Sequence, residues 1–172
     1  TELEVEFYSS DTEDQKLRQA RKTRELDDKY QMLKADLQSE ITQGLAQVEK
    51  VGDQIMISLS AANSFRSGFA ELQQGFLGTL RSVGDSVVAA GGKVQISGHT
   101  DNIPIAFSDR FDSNWDLSAA RAASVADFFF ANNNLDSNNV SVFGYADTKP
   151  VAENTDAQGR AANRRIEILI DG

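Results

Sequence analysis

The stretch Gly98-His-Thr-Asp-Asn102, taken with Asn114-Trp-Asp-Leu-Ser-Ala-Ala-Arg121-Ala122 and Asn163-Arg-Arg-Ile-Glu-Ile168, decides how this chain reads. Gly98 closes a short strand, Lys93–Gly98, carried by Val94 and Ile96, so Asp101 is expected just past a strand end, entering a loop. Leu117–Asn132 has helical periodicity, with Asp116 or Asn114 as its cap and Asn132-Asn-Asn134 as its stop. Arg121 lies in the first turn or so of that helix. A last strand, Arg164–Ile170, puts Ile166, Ile168 and Ile170 on one face. The three stretches thus bring an acid, an arginine and an arginine pair to element ends.

Outward from these, Gln54–Ser60 alternates through Ile55, Ile57 and Leu59 as a strand. Phe65, Phe69, Leu72, Phe76, Leu80, Val83 and Val87 have the spacing of one helix, ended by Gly91-Gly92. Its aromatic stripe reads as core and not as a ligand box. Val140–Tyr145 is a third strand, Ala157–Ala162 a short helical turn, and Asn102–Asn114 and Asp147–Asp156 are loops. The order βαβαβ(α)β predicts an α/β (α+β) two-layer sandwich with a mixed sheet. Connections of helix length predict parallel neighbours.

Residues 1–50 differ in composition: acids outnumber bases, proline is absent and Phe7 is the only phenylalanine. They read as a helical appendage to a globular domain at 51–172. Ser10-Asp-Thr-Glu13 has capping-box spacing. Leu26, Tyr30, Leu33, Leu37, Ile41, Leu45 and Val48 form a stripe that must bury against the domain or a second chain, while residues 11–25 read as a solvated arm. As a helix, residues 11–49 would span about 58 Å. Extended, they would span at most about 130 Å.

The net charge of -9 argues against nucleic acid, whose phosphates need a basic surface. The absence of cysteine excludes disulfides and thiolate metal sites. No apolar run approaches the roughly 20 residues of a membrane span. A first residue of Thr1 reads as a processed chain or a piece of a parent that is membrane-anchored upstream.

His99 is the only histidine. Without cysteine it makes a poor zinc site, and the chain has no Gly-x-Ser-x-Gly nucleophile elbow. A structural histidine is the favoured reading, and neither a metal nor a cofactor is expected. An arginine near a helix start is disfavoured by the macrodipole, so Arg121 needs a carboxylate. The plain partner is Asp101, as an internal ion pair. In an open pocket the same two residues can instead divide a zwitterion, Asp101 taking its ammonium and Arg121 its carboxylate. Of Arg164 and Arg165, alternation lets only one face a site, and a charged sheet edge is an equal reading.

The three segments, in this order, resemble the signatures of OmpA-like domains over about residues 51–172. Phe111-Asp-Ser-Asn-Trp115, the longer loop after Asp101 and Gly144-Tyr-Ala-Asp-Thr-Lys-Pro150 are more specific. They resemble the B subunits of flagellar motor stators, of the MotB and PomB type, nearest to the sodium-driven PomB form. The resemblance implies a non-enzymatic periplasmic domain of an inner-membrane protein, gripping the diaminopimelate residue of the peptidoglycan stem peptide. It implies Asp101 for the ammonium and Arg121 for the carboxylate, with Thr100, Asn102, Asn114, Leu117 and Arg164 lining the pocket. Its implied partners are a second copy, the stator A subunit through the membrane part, and T-ring proteins. A generic wall-binding domain of an outer-membrane protein or lipoprotein is the alternative. A wall hydrolase using His99 and Asp101 is the third reading.

Overall fold

The computed structural model describes the backbone of residues 2–105 and 109–172, and side chains from residue 11 onward within that span. Helix α1, Glu2–Asp36, is long because Glu, Gln, Lys, Arg and Leu dominate it, all good helix formers. It begins before Ser10–Glu13, so the helix does not start there; the Ser10 side chain, on which the capping-box reading turns, lies outside the described residues. Helix α2, Gln38–Thr42, follows at once. Gly44, at φ +73°, then turns the chain into strand β1, Gln47–Val51. Gly52, at φ +61°, opens a two-residue turn into β2, Gln54–Ser60, which pairs antiparallel with β1.

The expected single helix through Val48 is therefore corrected, and the boundary expected at residue 50 falls inside β1. The stripe itself reaches the core. Leu26, Leu33, Leu37 and Val48 are buried, with Tyr30, Ile41 and Leu45 packed against them. Because this burial is on its own domain, the stripe needs no second chain. Residues 11–25 are exposed throughout.

After a single turn, α3 (Ala61–Ser64), the expected long aromatic helix does not form. Gly68, at φ +77°, breaks it, and Phe65 bridges Leu72 across a tight excursion. Helix α4, Leu77–Ala90, begins only after a short 3-10 turn, and Gly91 and Gly92 end it. Phe65 and Phe76 are core residues, as expected, but they reach it from separate turns. Strand β3 is Val94–His99 and helix α5 is Asn114–Asn132. The α5 cap is Ser113, whose Oγ accepts from Asp116 N at 3.4 Å; neither Asp116 nor Asn114 is the cap. At its far end Asn133 clips α5 to α4, donating to Arg81 O and Asp85 Oδ1. Strand β4 (Val140–Gly144), helix α6 (Ala157–Asn163) and strand β5 (Arg165–Asp171) complete the chain.

The sheet order is β1-β2-β5-β3-β4. It is mixed, as expected: β3 and β4 are parallel across the α5 crossover, and the other pairs are antiparallel. β2 and β3 are not the neighbours their helical connection suggested, because β5 inserts between them. Ile55, Ile57, Leu59, Ile166, Ile168, Ile170, Val94 and Ile96 form the helix-covered face. No helix among the described residues is long and apolar enough to cross a membrane.

Gly98 and Gly144 are paired across β3 and β4. A Cβ on Gly98 would lie 2.0 Å from Ser118 O, and one on Gly144 would lie 2.6 Å from Ala119 N. Both side chains must be absent for α5 to rest on the sheet. Gly98→Ala and Gly144→Ala should each lower stability by about 3 kcal/mol or abolish folding. Gly78→Ala, with nothing within 4 Å, serves as the control and should be neutral to slightly stabilising. Urea unfolding midpoints of the three variants check this.

Candidate functional site

Seating α5 this close fixes the ends of β3 and β4. Ser118 Oγ accepts from Ala146 N at 3.1 Å, holding Ala146 in a left-handed conformation, and Ala146 O accepts from Thr100 N at 2.9 Å. Asp101 follows directly. Its Oδ1 accepts from Ile103 N at 3.0 Å, an Asx-type turn, and its Oδ2 pairs with Arg164. Asp101 is only 7% exposed.

A cavity of about 810 Å³ opens beside it, lined by Thr100, Asp101, Asn114, Leu117, Arg121 and Arg164. Asn114 is anchored there, donating from Nδ2 to Ile103 O at 3.0 Å. Asn102 is exposed on the turn and is not among the lining residues. Part of the loop after Asp101, residues 106–108, lies outside the described residues.

The internal Asp101–Arg121 ion pair is not formed; Asp101 pairs with Arg164 instead. Arg121 is buried in the second turn of α5. Its Nε donates to Phe69 O at 2.8 Å and a terminal nitrogen donates to Arg66 O at 3.2 Å, with the guanidinium 5.0 Å from the Phe65 ring centre. Burial, then the charge of Arg164, lowers its pKa to about 10, against a raising influence from Asp101. The guanidinium is thus oriented by neutral carbonyls. An anion entering the cavity would meet a charge the protein has aimed but only partly balanced.

The chain that makes this wall, residues 61–73, was not anticipated. Ala61, Ala62, Phe65, Arg66, Ser67, Gly68 and Gln73 all line the cavity. Ser124 Oγ donates to Ala70 O at 2.7 Å and helps hold the wall to α5. The signal was Gly68 beside Arg66, a turn residue inside an otherwise helical spacing.

Of the arginine pair, Arg164 faces the cavity and Arg165 the opposite side, as alternation required. Arg165 is buried against Glu167, at 2.8 Å from Nε, and donates to Asn163 O and Lys149 O. Asn163 is fully buried. Its Oδ1 accepts from Val151 N and Ala152 N, and its Nδ2 donates to Ala152 O and Asn154 Oδ1. It clips the 147–156 loop to the sheet.

His99 does not converge with Asp101. Its Nε2 lies 3.1 Å from Ser97 Oγ and 3.3 Å from Glu167 Oε1, and its ring stacks on Tyr145. This is a serine, a histidine and an acid in contact, but both partners sit on one nitrogen. A hydrolytic triad needs them on opposite nitrogens, so that the base is oriented while it takes the serine proton. Nδ1 is buried without a partner. Protonating it would bury an unpaired N–H, and burial together with Arg165 and Lys149 lowers the pKa to about 3. Among the described residues no group of three His, Cys, Asp or Glu side chains could hold a metal.

The OmpA family profile matches residues 64–164. Motility protein B of Bacillus subtilis is 38% identical over 117 residues, 67% of this chain and 44% of the relative. The cell wall anchor of the T6SS from Pseudomonas aeruginosa superposes with a TM-score of 0.76 at 36% identity, covering 81% of this chain and 96% of that one. The periplasmic domain of Helicobacter pylori MotB has the same fold, with a TM-score of 0.67 at 22% identity over 73% of this chain and 78% of that one. The chain spans less than half the length of the Bacillus relative.

The His99 environment makes stability depend on pH with a definite sign. The folded pKa is depressed, so the unfolded chain takes up the proton first. This contribution is fully present above about 6.5 and is lost as pH falls toward about 3. Between pH 6.5 and 5 the loss should be about 1.5 kcal/mol. His99→Gln, which cannot titrate, should remove that slope in urea unfolding midpoints measured across the same range.

Proposed function

The chain belongs to the OmpA family, and from that premise we propose that it is a non-catalytic periplasmic anchor tying a flagellar motor stator to peptidoglycan. The observation that carries this is the cavity holding Asp101 and Arg121 at one concave surface. The ligand is the diaminopimelate residue of a stem peptide. Asp101 accepts its ammonium, Arg121 donates to its carboxylate, and Thr100, Asn114, Leu117 and Arg164 shape the site. Asn102, exposed on the turn after Asp101, is not among the residues that shape it.

The stator assignment rests on the likeness to motility protein B and on Phe111–Trp115 and Gly144–Pro150. It carries with it an inner-membrane parent, the A subunit, T-ring proteins, a sodium-driven motor and pairing of two copies. Pairing is part of the proposed stator role and draws no support from α1, whose stripe is already covered. The second reading is a generic wall-binding domain of an outer-membrane protein or lipoprotein. It uses the same cavity, and it is favoured by the fact that, among the described residues, none of α1 lines the cavity.

We further propose that α1 is a switchable spacer, compact when idle and released when the stator is engaged. The arm 11–25 is exposed and buries no core surface, whereas 26–37 is held by Leu26, Leu33 and Leu37. Residues 11–37 span about 40 Å as a helix. Extended, they span at most about 90 Å.

Two measurements test this. Asp101→Asn keeps an oxygen for Ile103 N while losing the charge, and Arg121→Ala removes the fork. Both should reduce co-sedimentation with purified sacculi by roughly tenfold or more. The unfolding midpoint of Asp101→Asn should stay near that of the parent; unchanged sacculus binding by both variants would sink the site assignment. For the spacer, Lys50 of β1 pairs with Asp27 of α1. Cysteines at these two positions, bridged by a short bismaleimide in the full-length stator, should stop rotation, while the unbridged double variant rotates. Rotation with the bridge complete would refute the switch.

A further inference from the structure

The cavity has an excess of positive charge that one zwitterion does not use. Three arginines line it, Arg66, Arg121 and Arg164, against a single acid, Asp101. This patch sits on a chain of net charge -9, so it is a local positive site on an acidic surface. Arg164 and Asp101 are paired with each other. Arg121 is buried on carbonyls and answers one carboxylate. Arg66 remains. It is exposed, its carbonyl is one of the two that Arg121 binds, and its guanidinium lies 4.5 Å from the Phe69 ring centre. Arg110 flanks the same ring at 4.7 Å, but it is paired with Glu71. No acid among the described residues pairs with Arg66.

A stacked guanidinium loses rotamer freedom before any ligand arrives, and its in-plane donors stay available for a carboxylate. Resting on the anchor reading above, we propose that the cavity takes an acidic peptide bearing two separate carboxylates, Arg121 holding the inner one and Arg66 the outer one, with Asp101 on the ammonium. The ligand class is then a diamino-acid residue joined to a neighbour whose own carboxylate is free. The same peptide with that neighbouring carboxylate amidated is discriminated against.

The probes are two synthetic tripeptides of alanine, γ-linked glutamate and diaminopimelate, one with the glutamate α-carboxylate free and one with it amidated. Calorimetric titration of this chain should show the free acid binding about tenfold tighter. Arg66→Ala should bring that ratio to about one by weakening only the free acid. Arg66→Lys should restore part of it, as a charge without the planar fork. The Arg66 side chain is exposed and its carbonyl is retained in both variants, so the wall holding Arg121 persists. Equal binding of both peptides by the parent chain, or an Arg66→Ala effect equal on both, would overturn the second-carboxylate role and leave the anchor reading intact. No binding of either peptide would overturn both.

Discussion

Helix α5 can lie on the sheet only where Gly98 and Gly144 stand side by side without side chains, and the rest of the site follows from that contact. With the backbone of Ser118 and Ala119 against the glycines, Ser118 Oγ reaches Ala146 N, and Ala146 O in turn receives Thr100 N. The strand ends are locked one residue before Asp101. Leu117 and Arg121, one turn apart on the same face of α5, then necessarily look into the space beside that acid. A helix held a methyl group's thickness further out would carry Arg121 away from Asp101, without any change in either residue. The two glycines therefore set the distance between the charges as much as they set the fold.

Two polar networks on this frame show what separates a charge satisfied within the fold from one left only partly balanced. On one side of β5, Arg165 has Glu167, Asn163 O and Lys149 O around it, and Glu167 also touches His99. Apart from His99 Nδ1 it is a closed set, and what it does is hold the sheet to its loops. On the other side, Asp101 has one amide and one half-exposed arginine, and Arg121 has two carbonyls and an aromatic face. Orienting a buried guanidinium with neutral dipoles fixes its direction without cancelling its charge. That arrangement is less favourable for folding than a full ion pair, and it is what leaves interaction energy for a ligand.

The strands β2 to β5 and helix α5 were legible because each is long, periodic and bounded by glycine, proline or asparagine. The convergence of Asp101, Arg121 and Arg164 on one cavity was legible for the same reason: they lie at or near the ends of those elements. What failed has two physical causes. Val48 continues a helical stripe by chance, and that spacing masked a hairpin already signalled by Gly52-Asp53. Phe65, Phe69, Leu72 and Phe76 likewise fit a helix, yet left-handed Gly68 outweighs their periodicity, and the resulting wall was missed with it. The clip made by Asn163 was invisible for a different reason. Its partners lie 9 to 12 residues away in a loop with no periodicity of its own.

The division of α1 sets how this domain can respond to load. Residues 11–25 are exposed along their whole length, so extending them uncovers no core. Beyond it, Leu26, Leu33 and Leu37 are buried, and uncovering three leucines costs about 5–9 kcal/mol. That is comparable to the whole stability of a typical domain. Thermal fluctuation will therefore rarely strip α1 past Leu26. A sustained pull, or a partner that binds the uncovered surface, is needed to hold it off. Among the described residues the cavity takes no lining from α1; it is built from 61–73, the turn after β3, α5 and Arg164. Were α1 drawn off the domain, Asp101 and Arg121 would keep the geometry fixed by Gly98 and Gly144. The packing of α1 and the geometry of the cavity depend on separate contacts, so one can change while the other is kept.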